Sequence, residues 1–323
     1  MRRAILVAYA QGGRRMTIAD AWSAFWATGQ AASCVGGADF DARLDRLWCE
    51  FAQKLEPNAR IIDLAAGAGA AARSVANCAQ RDGRSLHIDA VDAATLPTKA
   101  SAESPLICFH SGVPLESLPF PNDAFDAAIS QFGFEYADEA KASSEAARVL
   151  KHGARLRFIM HARDGAVFAD VQARVDRLNV VLAEKGAATL ARDLAHAAAA
   201  DQSARVAELS QLLPQALEKL RVIAQGAPRD DAAMFYATAF LRDWRERMRF
   251  RPSDLAAAID AGWINAAGVA ARQQALLHAA KSQSDMDALR QRLQELNFTV
   301  EAPQELVDAN DAQAAWLLDA IKS

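Results

Sequence analysis

The sequence has few of the features that mark disulfide-rich, membrane or nucleic-acid-binding proteins. Its four cysteines lack C-x-x-C spacing, which predicts neither a disulfide framework nor a zinc site, and no metal is expected. No apolar run approaches the roughly 20 residues that span a bilayer, and the net charge of −4 argues against a nucleic-acid partner. The apolar part of residues 1–10 is too short for a signal peptide. We therefore expect a cytoplasmic protein with one large domain and a subdomain.

The most specific feature of the chain is an apolar run that ends in alternating glycines. Residues 61–69 read I-I-D-L-A-A-G-A-G, and the aliphatic side chains suit a strand that is covered on both faces. Gly67 and Gly69 allow a sharp turn and the close approach of a ligand. A helix predicted over 70–79 presents its N-terminus to that ligand. The pattern predicts a strand followed by a nucleotide-binding turn.

This turn fits two kinds of cofactor. Gly67, Gly69 and Ala72 match the G-x-G-x-x-G/A pattern of nicotinamide and flavin dinucleotide enzymes. Asp63, inside the strand, suits a hydrogen bond from a ligand amine or from N–H groups of the loop, and a dinucleotide turn has no particular use for it. In the alternative interpretation, Asp63 only ties down its own loop.

Further strand-like segments follow in the order of a doubly wound sheet. They cover residues 87–92, 105–110, 125–131 and 151–161, and a helix is predicted over 139–150. In such folds, an acid at the end of the second strand binds the ribose hydroxyls. Asp92 fits that role better than Asp89.

Together these motifs resemble the class I S-adenosylmethionine-dependent methyltransferases, specifically the small-molecule enzymes. The family's D-x-x-x-G-x-G pattern is matched by Asp63, Gly67 and Gly69, and its second-strand acid by Asp92. L-P-F-P-N-D-A-F-D is similar to the family's L-P-F-x-D-x-x-F-D, and R-V-L-K-H-G-A-R-L to its R-V-L-K-P-G-G-x-L. The matches cover residues 63–161 in the family's order. The resemblance implies an α/β fold, a Rossmann-like seven-stranded doubly wound sheet, and S-adenosyl-L-methionine as cofactor.

The sequence departs from the family in two places near the predicted cofactor. Ala65 and Ala66 replace the usual glycine and small residue, which should stiffen the first loop without filling the cofactor space. The acid that often follows the third strand is absent, so adenine contact would come from the backbone or from apolar packing near Gly112 and Val113. The cofactor-binding residues implied by the resemblance are Asp63, Ala65, Gly67, Gly69, Asp92, Ala93, Gly112, Val113, Gln131, Phe132 and Trp26.

An aromatic segment precedes the predicted sheet. Trp22, Phe25 and Trp26 resemble an N-terminal helix that often lies over the cofactor in this family. Aromatic faces beside a cation contribute about 0.5–2 kcal/mol, which suits a sulfonium pocket. Ordinary core packing explains each ring at least as well.

The chemistry implied by the resemblance is in-line methyl transfer. The protein mainly has to align the reacting atoms and exclude water, and a base is needed only if the acceptor must lose a proton. His161 is the predicted general base, and Glu135 and Tyr136 are bases or acceptor-orienting groups; for each, an ordinary hydrogen-bonded role is the alternative. The fourth strand lacks the N-P-P-Y of relatives that methylate adenine, cytosine or glutamine, and no Pro-Cys pair is present. We therefore expect a small-molecule acceptor.

Helices are predicted through a long alanine- and leucine-rich segment, residues 163–283. Helical periodicity covers 167–184, 204–223 and 232–249, with Pro214 as an interruption and Ser253 as the N-cap of a helix to about residue 261. We expect this insert to cover the substrate end of the sheet. Its alternative role is dimerisation.

The end of the chain resembles the family's last helix and antiparallel strand pair. A helix is predicted over 284–296 and strands over 297–302 and 312–321, although the alanine-rich last segment equally suits a helix. The predicted division of the chain is an N-terminal helical lid at 1–55, a cofactor-binding core at 56–162 and 284–323, and a helical insert at 163–283.

Two other functions remain open from the sequence. An NAD(P)-dependent oxidoreductase would share the glycine turn and Asp92, but it leaves Asp63 and the stretch at 118–126 unexplained. A catalytically inactive methyltransferase-like protein, binding or assembling through its insert, is compatible with the altered first loop.

Overall fold

The computed structural model describes residues 17–28, 37–96, 105–228 and 231–323. These residues form two compact units. The sheet unit contains Trp22–Ala169 and Ala275–Ser323, and the helical unit contains Asp170–Gln274 with residues 17–21. Within the described ranges, no helix has both the length and the apolar character needed to cross a membrane. The sequence-based division into lid, core and insert uses different boundaries and stays a prediction.

The sheet unit is built around a mixed sheet. Its strands are β1 (Arg60–Leu64), β2 (His87–Asp92), β3 (Ile107–Ser111), β4 (Phe125–Gln131), β5 (Leu150–His161), β6 (Phe298–Val300), β7 (Gln304–Val307) and β8 (Gln313–Lys322). The strand order is β3-β2-β1-β4-β5-β8-β6, and β7 also pairs with β8. Strands β1 to β5 pair in parallel, whereas β8 is antiparallel to its neighbours. This arrangement confirms the predicted Rossmann-like doubly wound sheet.

The C-terminal strands differ from the prediction in one detail. The strand predicted over 297–302 is present as the shorter β6, whereas the segment predicted as a loop after it contains a second strand, β7, on the other side of Pro303. Proline lacks the N–H that a continuous ladder would need there. Both strands pair with the same β8, so together they fill one position and the sheet has seven positions. The alanine-rich last segment is a strand and not a helix.

Helices cover both faces of the sheet. They include α2 (Gly37–Gln53), α3 (Ala70–Arg81), α4 (Glu139–Val149) and α10 (Gln283–Glu295), and α1 (Ile18–Trp26) precedes them. Ile61 belongs to an apolar cluster with Trp48 of α2, whereas Ile62 belongs to the opposite cluster with Leu289 of α10. Successive residues of a strand point to opposite faces. β1 is therefore buried on both sides, as its aliphatic sequence predicts.

The helical unit confirms the predicted helical insert after β5. Its helices are α5 (Ala166–Leu182), α6 (Ala187–Ala199), α7 (Ser203–Gly226), α8 (Ala232–Arg245) and α9 (Pro252–Ala279), with a 3₁₀ turn at Arg247–Arg249; the unit boundaries fall inside α1, α5 and α9. Leu194, Leu213 and Trp263 lie in one buried apolar cluster. This cluster gives the unit a core of its own.

Three boundaries predicted in the insert are wrong. Pro214 lies inside α7 and does not end it, because Leu213 and Ala216 on either side are buried in the core and hold the helix together. The helix predicted to follow an N-cap at Ser253 begins two residues earlier, at Pro252, because proline is tolerated in the first turn, where its N–H would have no intrahelical partner. The helix also continues far beyond residue 261, because burial of the Trp263 side chain stabilises the helical turn that follows Gly262.

A disulfide corrects the interpretation of the cysteines. Cys49 of α2 and Cys78 of α3 form a disulfide across 29 residues of sequence, and Cys108 is exposed and carries a free thiol. The two paired cysteines are on different helices and are distant in sequence, so their spacing does not predict a disulfide. Disulfides persist mainly in oxidising compartments. This pair therefore stands against the predicted cytoplasmic location unless it forms transiently.

Removing the disulfide should lower the stability of the sheet unit. The double variant Cys49→Ser, Cys78→Ser is expected to lose about 3 kcal/mol of unfolding free energy, because the unfolded chain gains the freedom of the opened loop. Urea unfolding of both proteins, with and without reductant, measures this loss. Reductant should destabilise the wild type and leave the variant unchanged. Equal unfolding midpoints of the two proteins without reductant would contradict the assignment.

Candidate functional site

The glycine turn after β1 is held by Asp92 at the end of β2. Gly67 and Gly69 have φ angles of +53° and +81°, the left-handed region that favours glycine. Asp92 Oδ2 accepts a hydrogen bond from the Gly67 N–H at 2.8 Å, and Oδ1 accepts one from the Ala94 N–H at 2.7 Å. Burial raises the pKa of Asp92, and these two N–H donors counteract the shift. One carboxylate thus fixes both loops at this edge of the sheet.

Aromatic rings lie directly against the turn. A Cβ at Gly67 would collide with the indole of Trp26, and a Cβ at Gly69 would lie 2.7 Å from the Phe109 ring. The glycines are therefore required by packing as well as by their φ angles. Ala65 also has a positive φ, +56°, so the alanine here keeps the backbone shape for which the family uses glycine.

Asp63 has a local partner in the first turn of α3. Its Oδ2 accepts a hydrogen bond from the Ala72 N–H at 3.2 Å. Oδ1 is buried and has no hydrogen-bond partner among the described residues. Burial raises the pKa of Asp63 to about 8; the Ala72 N–H works against this shift, and Asp92 adds to it. The contact fits the loop-anchoring interpretation, and a contact with ligand stays a prediction.

The buried Asp63 should make stability fall as the pH rises. The unfolded chain releases this proton near pH 4, and the folded protein releases it near pH 8. The native state thus binds more protons across this window, and the loss can reach several kcal/mol at ~1.4 kcal/mol per unit of pKa. We expect Asp63→Asn to flatten the dependence, measured by urea unfolding across that range. The exposed-site variant Asp287→Asn should keep the wild-type slope; an unchanged slope in Asp63→Asn would contradict the prediction.

Backbone hydrogen bonds bring the predicted ribose and adenine residues together. The Val113 N–H donates to the Asp92 carbonyl oxygen at 2.9 Å, and the Gly112 N–H donates to that of Ala94 at 3.3 Å. Ala93 lies between these two acceptors in sequence. Gly112 itself has φ +74°, so glycine also suits this turn. The segment after β3 is thereby fixed beside the end of β2.

The end of β4 is tied to its neighbours through three contacts. Gln131 Oε1 accepts a hydrogen bond from the Trp48 indole N–H at 2.5 Å. The Phe132 N–H donates to the carbonyl oxygen of Ile159 at 2.8 Å. Ser130 Oγ donates to the Leu64 carbonyl oxygen at 2.6 Å and so connects β4 to the start of the glycine loop. Sequence reasoning missed Ser130, because a serine in a strand gives no signal of the strand that it will contact.

The three predicted catalytic residues lie together at the ends of β4 and β5. Glu135 Oε1 accepts a hydrogen bond from the His161 backbone N–H at 3.0 Å and lies 2.7 Å from His161 Nδ1. Both side chains are buried, and Glu135 Oε2 has no hydrogen-bond partner in the described part of the chain. The Tyr136 ring stands perpendicular to the imidazole with centroids 6.2 Å apart. A carboxylate beside Nδ1 favours the tautomer that carries its proton on Nδ1.

An aromatic cluster links the glycine turn to this pair. Trp26, which lies on Gly67, stacks on Trp22 with centroids 5.7 Å apart. Trp22 makes an edge contact with Tyr136 at 5.8 Å. Phe132 lies on the other side, with its centroid 4.5 Å from that of His161. The predicted cofactor and catalytic residues are thus connected by a series of aromatic ring contacts.

Residues 62–158 match a family model described as "Methyltransferase domain". The match covers the stretch from β1 to β5 that carries the glycine turn, Asp92 and the Glu135 loop. This match and the relative described below support a methyltransferase domain of the class I S-adenosylmethionine-dependent type at residues 62–158. This confirms the family resemblance and the cofactor. The family includes enzymes that use S-adenosylmethionine as their methyl donor, so the glycine turn of this methyltransferase domain is its expected binding site.

A relative and two solved structures are similar to this methyltransferase domain. The ubiquinone/menaquinone biosynthesis C-methyltransferase UbiE of Geotalea daltonii is 31% identical over 123 residues, which cover 35% of this chain and 51% of that protein. The chain therefore spans about half the length of this curated relative. The YcgJ protein of Bacillus subtilis is 17% identical, with a TM-score of 0.38 and coverage of 87% and 98% of the two chains. An S-adenosylmethionine-dependent methyltransferase of Mesorhizobium loti is 23% identical, with a TM-score of 0.32 and coverage of 39% and 56%.

Proposed function

We propose that this protein transfers a methyl group from S-adenosylmethionine to a small-molecule acceptor. The observation that carries the proposal is the buried Glu135–His161 pair, which stands at the ends of β4 and β5 and is joined by aromatic rings to the glycine turn. A histidine oriented by a carboxylate is suited to removing a proton from an acceptor. The matched family indicates methyl transfer as the reaction. The Glu135–His161 pair leads us to expect an acceptor that loses a proton when it is methylated.

The residues around the turn fit the cofactor. Each Asp92 oxygen accepts one backbone N–H and keeps a second acceptor position for a ribose hydroxyl. Oδ1 of Asp63 is a buried carboxyl oxygen without a hydrogen-bond partner among the described residues. The other residues that would hold the cofactor are Ala65, Gly67, Gly69, Ala93, Gly112, Val113, Gln131, Phe132 and Trp26. Bound S-adenosylmethionine supplies an electrophilic methyl group on a sulfonium.

The chain's own residues then act on the acceptor. His161 takes the acceptor's proton at Nε2 while Glu135 holds Nδ1 and stabilises the imidazolium that forms. Tyr136 orients the acceptor. The rings of Trp22, Trp26 and Phe132 exclude water from the reaction. Because Glu135 and His161 are buried, the covering side chains have to move to admit the acceptor.

The helical insert and the location of the protein belong to the same proposal. We assign the insert at 163–283 the role of a substrate cap, with a homodimer contact as its alternative role. We also propose a cytoplasmic location without a nucleic-acid partner, which requires that the Cys49–Cys78 disulfide form only transiently there. The name of the relative from Geotalea daltonii refers to carbon methylation in ubiquinone/menaquinone biosynthesis. A small organic acceptor is consistent with that chemistry, and the accepting atom is left to experiment.

A labelled-methyl experiment tests the acceptor class. The purified full chain is incubated with S-adenosylmethionine labelled in its methyl group and with a cell extract separated into small-molecule and macromolecular fractions. We expect label to enter a compound in the small-molecule fraction, together with release of S-adenosylhomocysteine. A reaction without extract is the control. Label that enters only protein or nucleic acid would overturn the small-molecule acceptor.

A further inference from the structure

A cluster of metal-ligating side chains lies on the edge strand β3 and on its neighbour β2. Asp89 on β2 is the register partner of Cys108 on β3. His110 is two residues further along β3, so it shares a face with Cys108, and His87 likewise shares a face with Asp89. One carboxylate, one thiol and two imidazoles therefore lie on the same face of the sheet on neighbouring strands.

The distances within this cluster suit a single ion. One ligand atom from each of Asp89, Cys108 and His110 can be chosen so that all lie within 4.8 Å of one another. His110 Nε2 is 2.8 Å from Asp89 Oδ1. Asp89 is buried, while His110 is partly exposed and Cys108 is exposed. An ion from solvent can therefore reach the thiol and the imidazole and meet the carboxylate beneath them.

We propose that Asp89, Cys108 and His110 bind a divalent transition metal, for which Zn²⁺ is the best fit. A thiolate and an imidazole favour zinc over calcium or magnesium, which prefer oxygen ligands. His87 is the candidate for the fourth position, although its Nε2 now lies 3.7 Å from Asp89 Oδ2, the oxygen that Arg60 holds, and its side chain would have to turn toward the ion. The absence of C-x-x-C spacing does not exclude this site, since its ligands come from neighbouring strands.

Surrounding groups hold two of the ligands in position. Arg60 donates to Asp89 Oδ2 from Nε at 3.0 Å and from a terminal nitrogen at 2.9 Å, which leaves Oδ1 to face the ion. The Phe120 ring makes an edge contact with the His110 imidazole at 5.4 Å. A thiolate and a carboxylate together balance the ion's two charges, and the positive charge of Arg60 remains. Such outer contacts orient metal ligands.

The expected effect of the ion is to fix β3 to β2 close to the cofactor loop. Asp89 is three residues before Asp92 on the same strand, and among the strands of the described residues β3 pairs only with β2. A metal that binds the folded protein stabilises it by mass action. The site should therefore raise resistance to unfolding without taking part in methyl transfer.

Cobalt titration of the chelator-treated full chain tests the site. Co²⁺ bound to a thiolate gives a near-ultraviolet charge-transfer band, and Zn²⁺ should abolish it by displacement. We expect Cys108→Ser to lose the band and His110→Ala to bind at least about 100-fold more weakly, since even outer-contact losses cost 10–100-fold. Two matched controls, His152→Ala at an exposed position near the start of β5 and Cys34→Ser, should keep the wild-type band.

The same titration gives the results that would overturn the proposal. A band that persists in Cys108→Ser, or that is lost in Cys34→Ser, would assign the metal to another site. Wild-type protein that binds Co²⁺ no more tightly than His110→Ala, with both proteins folded by circular dichroism, would mean that Asp89, Arg60 and His110 form an ion-pair cluster without a metal. The variant His87→Gln tests the fourth ligand. Weaker Co²⁺ binding would assign that position to His87, and unchanged binding would leave Asp89, Cys108 and His110 as the protein ligands.

Discussion

Replacing Asp92 with alanine should lower the affinity for S-adenosylhomocysteine by about 100-fold or more. The carboxylate is predicted to bind the ribose hydroxyls, and it also anchors the Gly67 and Ala94 N–H groups that shape the cofactor loops. Hydrogen bonds to a charged group contribute about 1.5–3 kcal/mol each, so losing two of them costs at least two factors of ten.

Calorimetric titration of wild type and Asp92→Ala with S-adenosylhomocysteine measures this loss. Asp92→Asn should bind with intermediate affinity, because an amide accepts with one atom only. Asp287→Ala, which removes an exposed acid from α10, is the matched control and should bind like wild type. Circular dichroism checks that each variant is folded. Unchanged affinity in folded Asp92→Ala would contradict the assigned ribose role.

Replacing His161 with alanine should reduce kcat by about 10²–10⁴-fold, the usual contribution of a general base. The expectation follows from the buried contact between His161 Nδ1 and Glu135 Oε1 at 2.7 Å. Glu135→Gln should reduce kcat less and should shift the pH profile of kcat, because a neutral amide no longer stabilises the imidazolium. Binding of S-adenosylhomocysteine should stay at the wild-type value in both variants.

Steady-state rates at saturating acceptor, measured across pH, test the base. His152→Ala removes an exposed histidine at the start of β5 and should leave kcat unchanged. The pH profile of Glu135→Gln distinguishes a role of Glu135 in proton transfer from a structural role. A structural role would lower kcat by the same factor at every pH. Wild-type kcat in a folded His161→Ala variant would show that the acceptor loses no proton to this residue.

The elements whose residues lie close together in the chain could be predicted from the sequence. The aliphatic run at β1 and the positions of Gly67 and Gly69 predict a buried strand and a turn, and the structure has both. Asp92 was predictable because the end of the second strand has a fixed place in a parallel sheet. His161 and Glu135 belong to the ends of adjacent strands, so their approach follows from the sheet order.

What could not be predicted depends on contacts between distant segments. Pairing of Cys49 with Cys78 requires α2 to lie beside α3, and no pattern in either helix specifies that. The continuation of α7 through Pro214 depends on the core of the helical unit, which outweighs the local helix-breaking tendency. The cluster at Asp89 and Cys108 depends on strand register.

The most direct test of the account is calorimetric titration of the purified full chain with S-adenosylhomocysteine and, separately, with NADH. We expect micromolar binding of S-adenosylhomocysteine, which Asp92→Ala should lose, and no measurable heat of binding with NADH. Binding of NADH alone would contradict the cofactor assigned to the glycine turn, and binding of neither ligand by the folded protein would favour a methyltransferase-like protein that no longer catalyses.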